Sequence, residues 1–176
     1  MSSQKIRKIG VDVGRTIINR ELTGVPPMWR NHLETELFPG AVDGCKKLNE
    51  QFLGQLELVS VAKLNHDFGL KTQECLRKHD FERLTGINLV NSLKLFCNRD
   101  AKIQYCIQSG FTHLVDDRLE TVLQVSGYIS QVFLFCPNGN FAALQSQKLP
   151  ENVRILRSWS EGLHLLTTPT TTFRPF

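Results

Sequence analysis

Four stretches of the chain set charged or hydroxyl-bearing residues at the ends of apolar runs or at the start of a helical one. KIGVDVGRT (8–16) delivers Asp12 into a turn with Gly14, Arg15 and Thr16, and LELVS (56–60) ends on Ser60. NRDAK (98–102) sets Lys102 early in a helical segment, and HLVDD (113–117) closes on Asp116 and Asp117. Carboxylates, a hydroxyl and an amine gathered at one point suit phosphoryl chemistry. A phosphate monoester is a dianion, so a carboxylate nucleophile approaches it only where the accumulated negative charge is neutralised. Lysine and a hard, oxygen-liganded cation supply that neutralisation, and a hydroxyl can hydrogen-bond a phosphoryl oxygen.

These residues share a site only if the elements between them bring them together. The apolar periodicity predicts strands over 6–12, 56–62, 92–97, 112–117, 131–136 and 153–158. Between them it predicts helices over 40–53 (Val42, Cys45, Leu48, Phe52, with Gly54 beyond the end), 101–109 (Ile103, Cys106, Ile107, with Gly110 as terminator), 118–126 (Leu119, Val122, Leu123) and 160–166. Residues 67–84 read as one or two helical pieces, Asp100 as the N-cap of the 101–109 helix, and Leu93, Leu95 and Cys97 as one face of the third strand. Strands alternating with helices predict a doubly wound, Rossmann-like α/β fold, a mainly parallel sheet covered on both faces. In such sheets ligands bind beyond the carboxyl ends of the strands, where Asp12, Ser60, Asp116 and Asp117 fall.

The predicted organisation is a single domain over 1–166, with residues 17–39, including Pro26, Pro27 and Trp29, as a flap over the site and 167–176 as a flexible tail. At 176 residues the chain can bury a core without metal or disulfide. Cys45, Cys75, Cys97, Cys106 and Cys136 are odd in number and widely spaced, which predicts reduced thiols in a cytoplasmic protein. No apolar run is long enough for a membrane span, and the N-terminus lacks the apolar region of a signal peptide. A net charge of +4, scattered along the chain, argues against a nucleic-acid surface. The five histidines have no zinc-like spacing.

DVGRT fits the Asp-x-Gly-x-Thr phosphate loop of the actin-like and sugar-kinase ATPases, but that architecture needs two domains and this chain is too short. A response-regulator receiver has similar residues in a different order. From the first strand to the acidic pair, the chain resembles the haloacid dehalogenase-like (HAD-like) hydrolase superfamily in its small-cap or capless form. VDVGRTI looks like the first motif, Asp-x-Asp-Gly-Thr; Ser60 matches the Ser or Thr ending the second strand; Lys102 matches the helix lysine; HLVDD matches the acidic closing motif. Taken singly these residues have bland readings: a strand-end Asp as a helix cap, Lys102 as a solvated helix residue, Asp116 and Asp117 as a helix start. Their order along the chain carries the resemblance.

The resemblance implies Asp12 as nucleophile and Mg²⁺ ligand, the Gly14 carbonyl and Asp117 as further ligands, and Asp116 in support. It implies Ser60 and Lys102 as phosphate-binding and catalytic groups, and it leaves Arg15 either on a substrate anion or in solvent. The substrate would be a small-molecule or protein-borne phosphoester. One departure stands out: the second Asp of the first motif, which protonates the leaving group, is Gly14, and Arg15 stands where the family has Gly. Losing a general acid forfeits ~10²–10⁴ in rate, unless His32 or Glu34 substitutes. Two expectations follow: a slow, Mg²⁺-dependent phosphohydrolase, or an impaired phosphate- and metal-binding or scaffolding module.

Overall fold

A computed structural model of the protein describes residues 7–20, 31–62, 66–137, 139 and 148–167. Six strands, β1 (Ile9–Asp12), β2 (Leu56–Val61), β3 (Leu93–Phe96), β4 (His113–Asp116), β5 (Gln131–Phe135) and β6 (Val153–Leu156), form one sheet. Their order is β3-β2-β1-β4-β5-β6 and every pairing is parallel. The fold is a doubly wound α/β sandwich. Its inner strands are short because both faces are covered, so successive residues are apolar in opposite directions. Ile9 and Val11 of β1, Leu56 and Leu58 of β2, Val115 of β4 and Phe133 and Phe135 of β5 build one core, while Val59, Leu114, Val132 and Leu134 build the other.

The first core is roofed by helices α1 (Ala41–Gln51), α2 (His66–Lys78), α3 (Phe81–Thr85) and α7 (Trp159–Thr167), α1 packing against both α3 and α7. The second lies under α5 (Arg99–Gln108) and α6 (Leu119–Val125), and the short α4 (Leu89–Ser92) leads into β3. Gly44 lets α1 and α7 approach: a Cβ there would stand 2.4 Å from the Trp159 ring. The fully buried Trp159 indole in turn donates to the carbonyl of Thr16 at 2.9 Å, tying α7 to the turn after β1.

Several expectations are settled or corrected in detail. The 67–84 segment is two helices, broken where Asp80 adopts a left-handed conformation at φ 52°. The N-cap of α5 is Asn98, whose side chain accepts from the Ala101 amide, and Asp100 sits one place inside the helix. An Asn two residues earlier wins because its extended backbone leaves its oxygen facing the first turn. Leu95 is exposed because β3 is an edge strand, and Leu123 is exposed because α6 turns Thr121, Val122 and Val125 inward instead. The ends of the 17–39 segment are anchored: Ile17 and Ile18 are fully buried, and Ile18 bridges both Gly14 and Leu37. The rest of the predicted flap (21–30, with Trp29) and the tail beyond 167 lie outside the described residues.

Candidate active site

The strand order reverses between β1 and β4, which opens a crevice at their carboxyl ends. Register fixes what faces it. Val11 pairs with Val115, so Asp12 and Asp116 are the next residues on neighbouring strands. Asp12 pairs with Val59, so Ser60 follows one step beyond on the other side. A cleft of about 770 Å³ lies there, lined by Asp12, Gly14, Arg15, Ser60, Lys102, Asp116 and Asp117, every site residue expected from the sequence.

Lys102, in α5, is 3% exposed and reaches across to both strands. Its ammonium pairs with Asp12 Oδ1 and with Asp116 Oδ2, the latter at 2.7 Å. Burial alone would lower its pKa, but the two carboxylates outweigh that and hold it above the ordinary lysine value. Thr16 donates to Asp12 Oδ2 at 3.2 Å, and the Arg118 amide donates to Asp116 Oδ1 at 2.8 Å. Asp12 is nonetheless raised above the usual carboxylate range by burial and then by Asp116, against the pull of Lys102. Asp117 is pushed up to about 7 by burial and by repulsion from Asp12 and Asp116, with Arg15 and Arg118 acting against the shift.

Arg15 is exposed to solvent and lines the cleft. Its backbone is left-handed at φ 65°, the conformation for which glycine is suited, and its Nε lies 3.2 Å from Asp117 Oδ2. A backbone conformation suited to glycine is therefore held here by a residue whose side chain pairs with Asp117. His32 and Glu34 are not placed to replace the missing acid. His32 pairs with Glu74 of α2 at 2.6 Å, Glu34 accepts from Asn31, and neither lines the cleft.

Arg20 was not foreseen. Its guanidinium lies over the Phe68 ring, 4.6 Å from the centroid, and lines the cleft beside Gly14. A Cβ on Gly14 would stand 2.8 Å from Arg20 Cζ and 2.9 Å from both Nη atoms. Gly14 is not among the described glycines with positive φ, so the backbone does not demand glycine there, and a side chain would displace only the flexible end of Arg20. The one sequence signal was an Arg a few residues beyond a motif that had lost a carboxylate.

The strand order and pairing define a doubly wound, Rossmann-like α/β domain with its cleft at the carboxyl ends of the strands. Solved structures agree on the fold. The chain is similar to D,D-heptose 1,7-bisphosphate phosphatase from Burkholderia thailandensis (TM-score 0.57, 15% identity, 92% of this chain and 99% of that one). It is also similar to the B. bronchiseptica enzyme of the same name, complexed with magnesium and phosphate (TM-score 0.58, 15% identity, 91% and 97%). A third is a protein from Burkholderia xenovorans LB400 described as haloacid dehalogenase-like (TM-score 0.58, 10% identity, 90% and 96%). No family model matches this chain, and no curated protein matches it by sequence. Among the described residues, no helix is long and apolar enough to cross a membrane.

Proposed function

We propose that the protein is a phosphate-monoester hydrolase of slow turnover, with Asp12 as nucleophile. The observation that carries this reading is the Lys102 ammonium held between Asp12 and Asp116 at the floor of the cleft, with Ser60 beside it. Lys102 draws the buried Asp12 towards its charged form, against burial and Asp116, and Thr16 fixes one of its oxygens. An Asp12 oxygen attacks phosphorus as the ester P–O bond breaks, giving an aspartyl phosphate and an alkoxide. Ser60 hydrogen-bonds a phosphoryl oxygen. Water then hydrolyses the acyl phosphate. With Gly14 in place of the acid, the alkoxide leaves without a proton from that position, so esters with good leaving groups are favoured.

Among the described residues, no three acidic, imidazole or thiol groups form a ready metal cage. Magnesium, however, is commonly held by one or two carboxylates completed by substrate phosphate. The donors here suit it: Asp12, Asp117 and the Gly14 carbonyl are hard oxygens, and burial first, then neighbouring carboxylates, raise both carboxyls, a shift that a divalent cation would relieve. When bound, Mg²⁺ would supply charge stabilisation of the transferring phosphoryl group. The cleft volume suits a small-molecule ester, with a protein-borne phosphoester the alternative.

A second reading, a phosphate-binding module without turnover, is favoured by Arg20 filling the place of the acid. An aryl phosphate assay with and without Mg²⁺, beside Asp12→Asn, separates the two. Turnover lost in the Asn variant supports the hydrolase. Equal rates in both proteins remove Asp12 as nucleophile, and phosphate binding without turnover selects the module.

A further inference from the structure

A phosphate site at Asp12, Ser60 and Lys102 leaves Arg20 without a role, although its guanidinium lines the same cleft beside Gly14. Its Nε and Nη2 are shut away from water, and no hydrogen-bond acceptor meets them. The Phe68 ring covers the face of the guanidinium, but its N–H groups lie in the plane, where stacking satisfies none of them. A charged donor left this way is costly, and in a native structure it marks a site whose acceptor arrives with a ligand.

Charge points the same way. Three carboxylates line the cleft, Asp12, Asp116 and Asp117, and five cationic side chains, Arg15, Arg20, Arg99, Lys102 and Arg118, outnumber them. The resembled pattern has one more carboxylate in place of Gly14 and a glycine in place of Arg15, so it needs a divalent cation before a dianion can enter. Here that debt is already met by side chains. Guanidinium is also the group whose planar donors best fit two oxygens of a phosphate.

Resting on the reading of the cleft as a phosphate site, we propose that Arg20 is a substrate-binding residue whose in-plane N–H groups take phosphoryl oxygens. Phosphate binding is thereby independent of a divalent cation, and any bound Mg²⁺ serves the rate rather than the affinity.

Titration calorimetry with inorganic phosphate tests this, on wild type, Arg20→Gln and Arg20→Lys, each in Mg²⁺ and in EDTA, with urea midpoints recorded alongside. The expected result is a wild-type Kd that differs less than about threefold between the two buffers. Arg20→Gln should weaken binding at least about tenfold in both, and Arg20→Lys should fall between, since it restores charge but not the planar fork. Binding that vanishes in EDTA, or Arg20→Gln binding as tightly as wild type, overturns the role of Arg20 and leaves the phosphate site standing. A wild-type protein that binds phosphate in neither buffer overturns the site itself.

Discussion

Arg20 stands where a side chain on Gly14 would go, its Cζ 2.8 Å from the position a Cβ would take. A side chain at position 14 and the Arg20 guanidinium therefore compete for one space. Gly14→Asp alone should place its carboxylate against the guanidinium, where an ion pair keeps it ionised and useless as an acid. Turnover of an alkyl phosphate should rise less than about threefold in Gly14→Asp, and at least about tenfold further in Gly14→Asp/Arg20→Ala. Steady-state kcat on both variants decides it; a single variant as fast as the double would show that Arg20 does not silence the position.

Lys102 holds two buried carboxylates at once. Lys102→Met should cost about 3 kcal/mol or more at pH 7, because removing one partner of a buried ion pair abandons the others. The loss should shrink in acid, where protonation removes the abandoned charge. Urea denaturation at pH 7 and pH 4.5 measures both, and an equal penalty at the two pH values would contradict the charge argument.

Arg15 combines a left-handed backbone with an ion pair to Asp117. Comparing Arg15→Gly with Arg15→Ala cancels the pair, since both remove it. Gly should then be the more stable by about 1 kcal/mol, because only Ala retains a Cβ in the left-handed region. Urea midpoints of the two variants settle the point, and an Ala variant at least as stable would show that the turn carries no such strain.

His113, at the amino end of β4, is 6% exposed and meets Arg7 through Nε2 at 3.3 Å and Thr112 through Nδ1 at 2.8 Å. Arg7 can only donate, so Nε2 accepts and the ring is neutral. Burial first, then Arg7, lowers its pKa from 6.5 to about 4. The unfolded chain thus takes up the proton before the folded one, and stability falls with pH between those values, by up to about 3 kcal/mol. The raised Asp117 acts with the opposite sign, so the measurement is a difference. The stability of wild type relative to His113→Asn should decline as pH drops from 7 to 4.5, and parallel curves would exclude the histidine as the cause.

The sheet was legible in the sequence because each inner strand is apolar on both faces and each helix ends at a glycine or a cap. The site was legible because strand ends in a parallel sheet meet on one side, so Asp12, Ser60, Asp116 and Asp117 had one place to go. Errors fell where local signals compete. Asp100 and Asn98 are both good caps, and only the backbone at Asn98 decides between them. Leu95 alternates like a core residue, but β3 lies at the edge of the sheet.

By itself, then, the sequence determined the order of elements and named Asp12, Lys102, the acidic pair and Gly14 as residues of one cleft, since each is a matter of residue type and spacing along one element. Only tertiary structure decided what stands beside Gly14. Arg20 is placed there against the ring of Phe68, which belongs to α2. Contacts of that kind are set by packing between distant segments, which no local periodicity records.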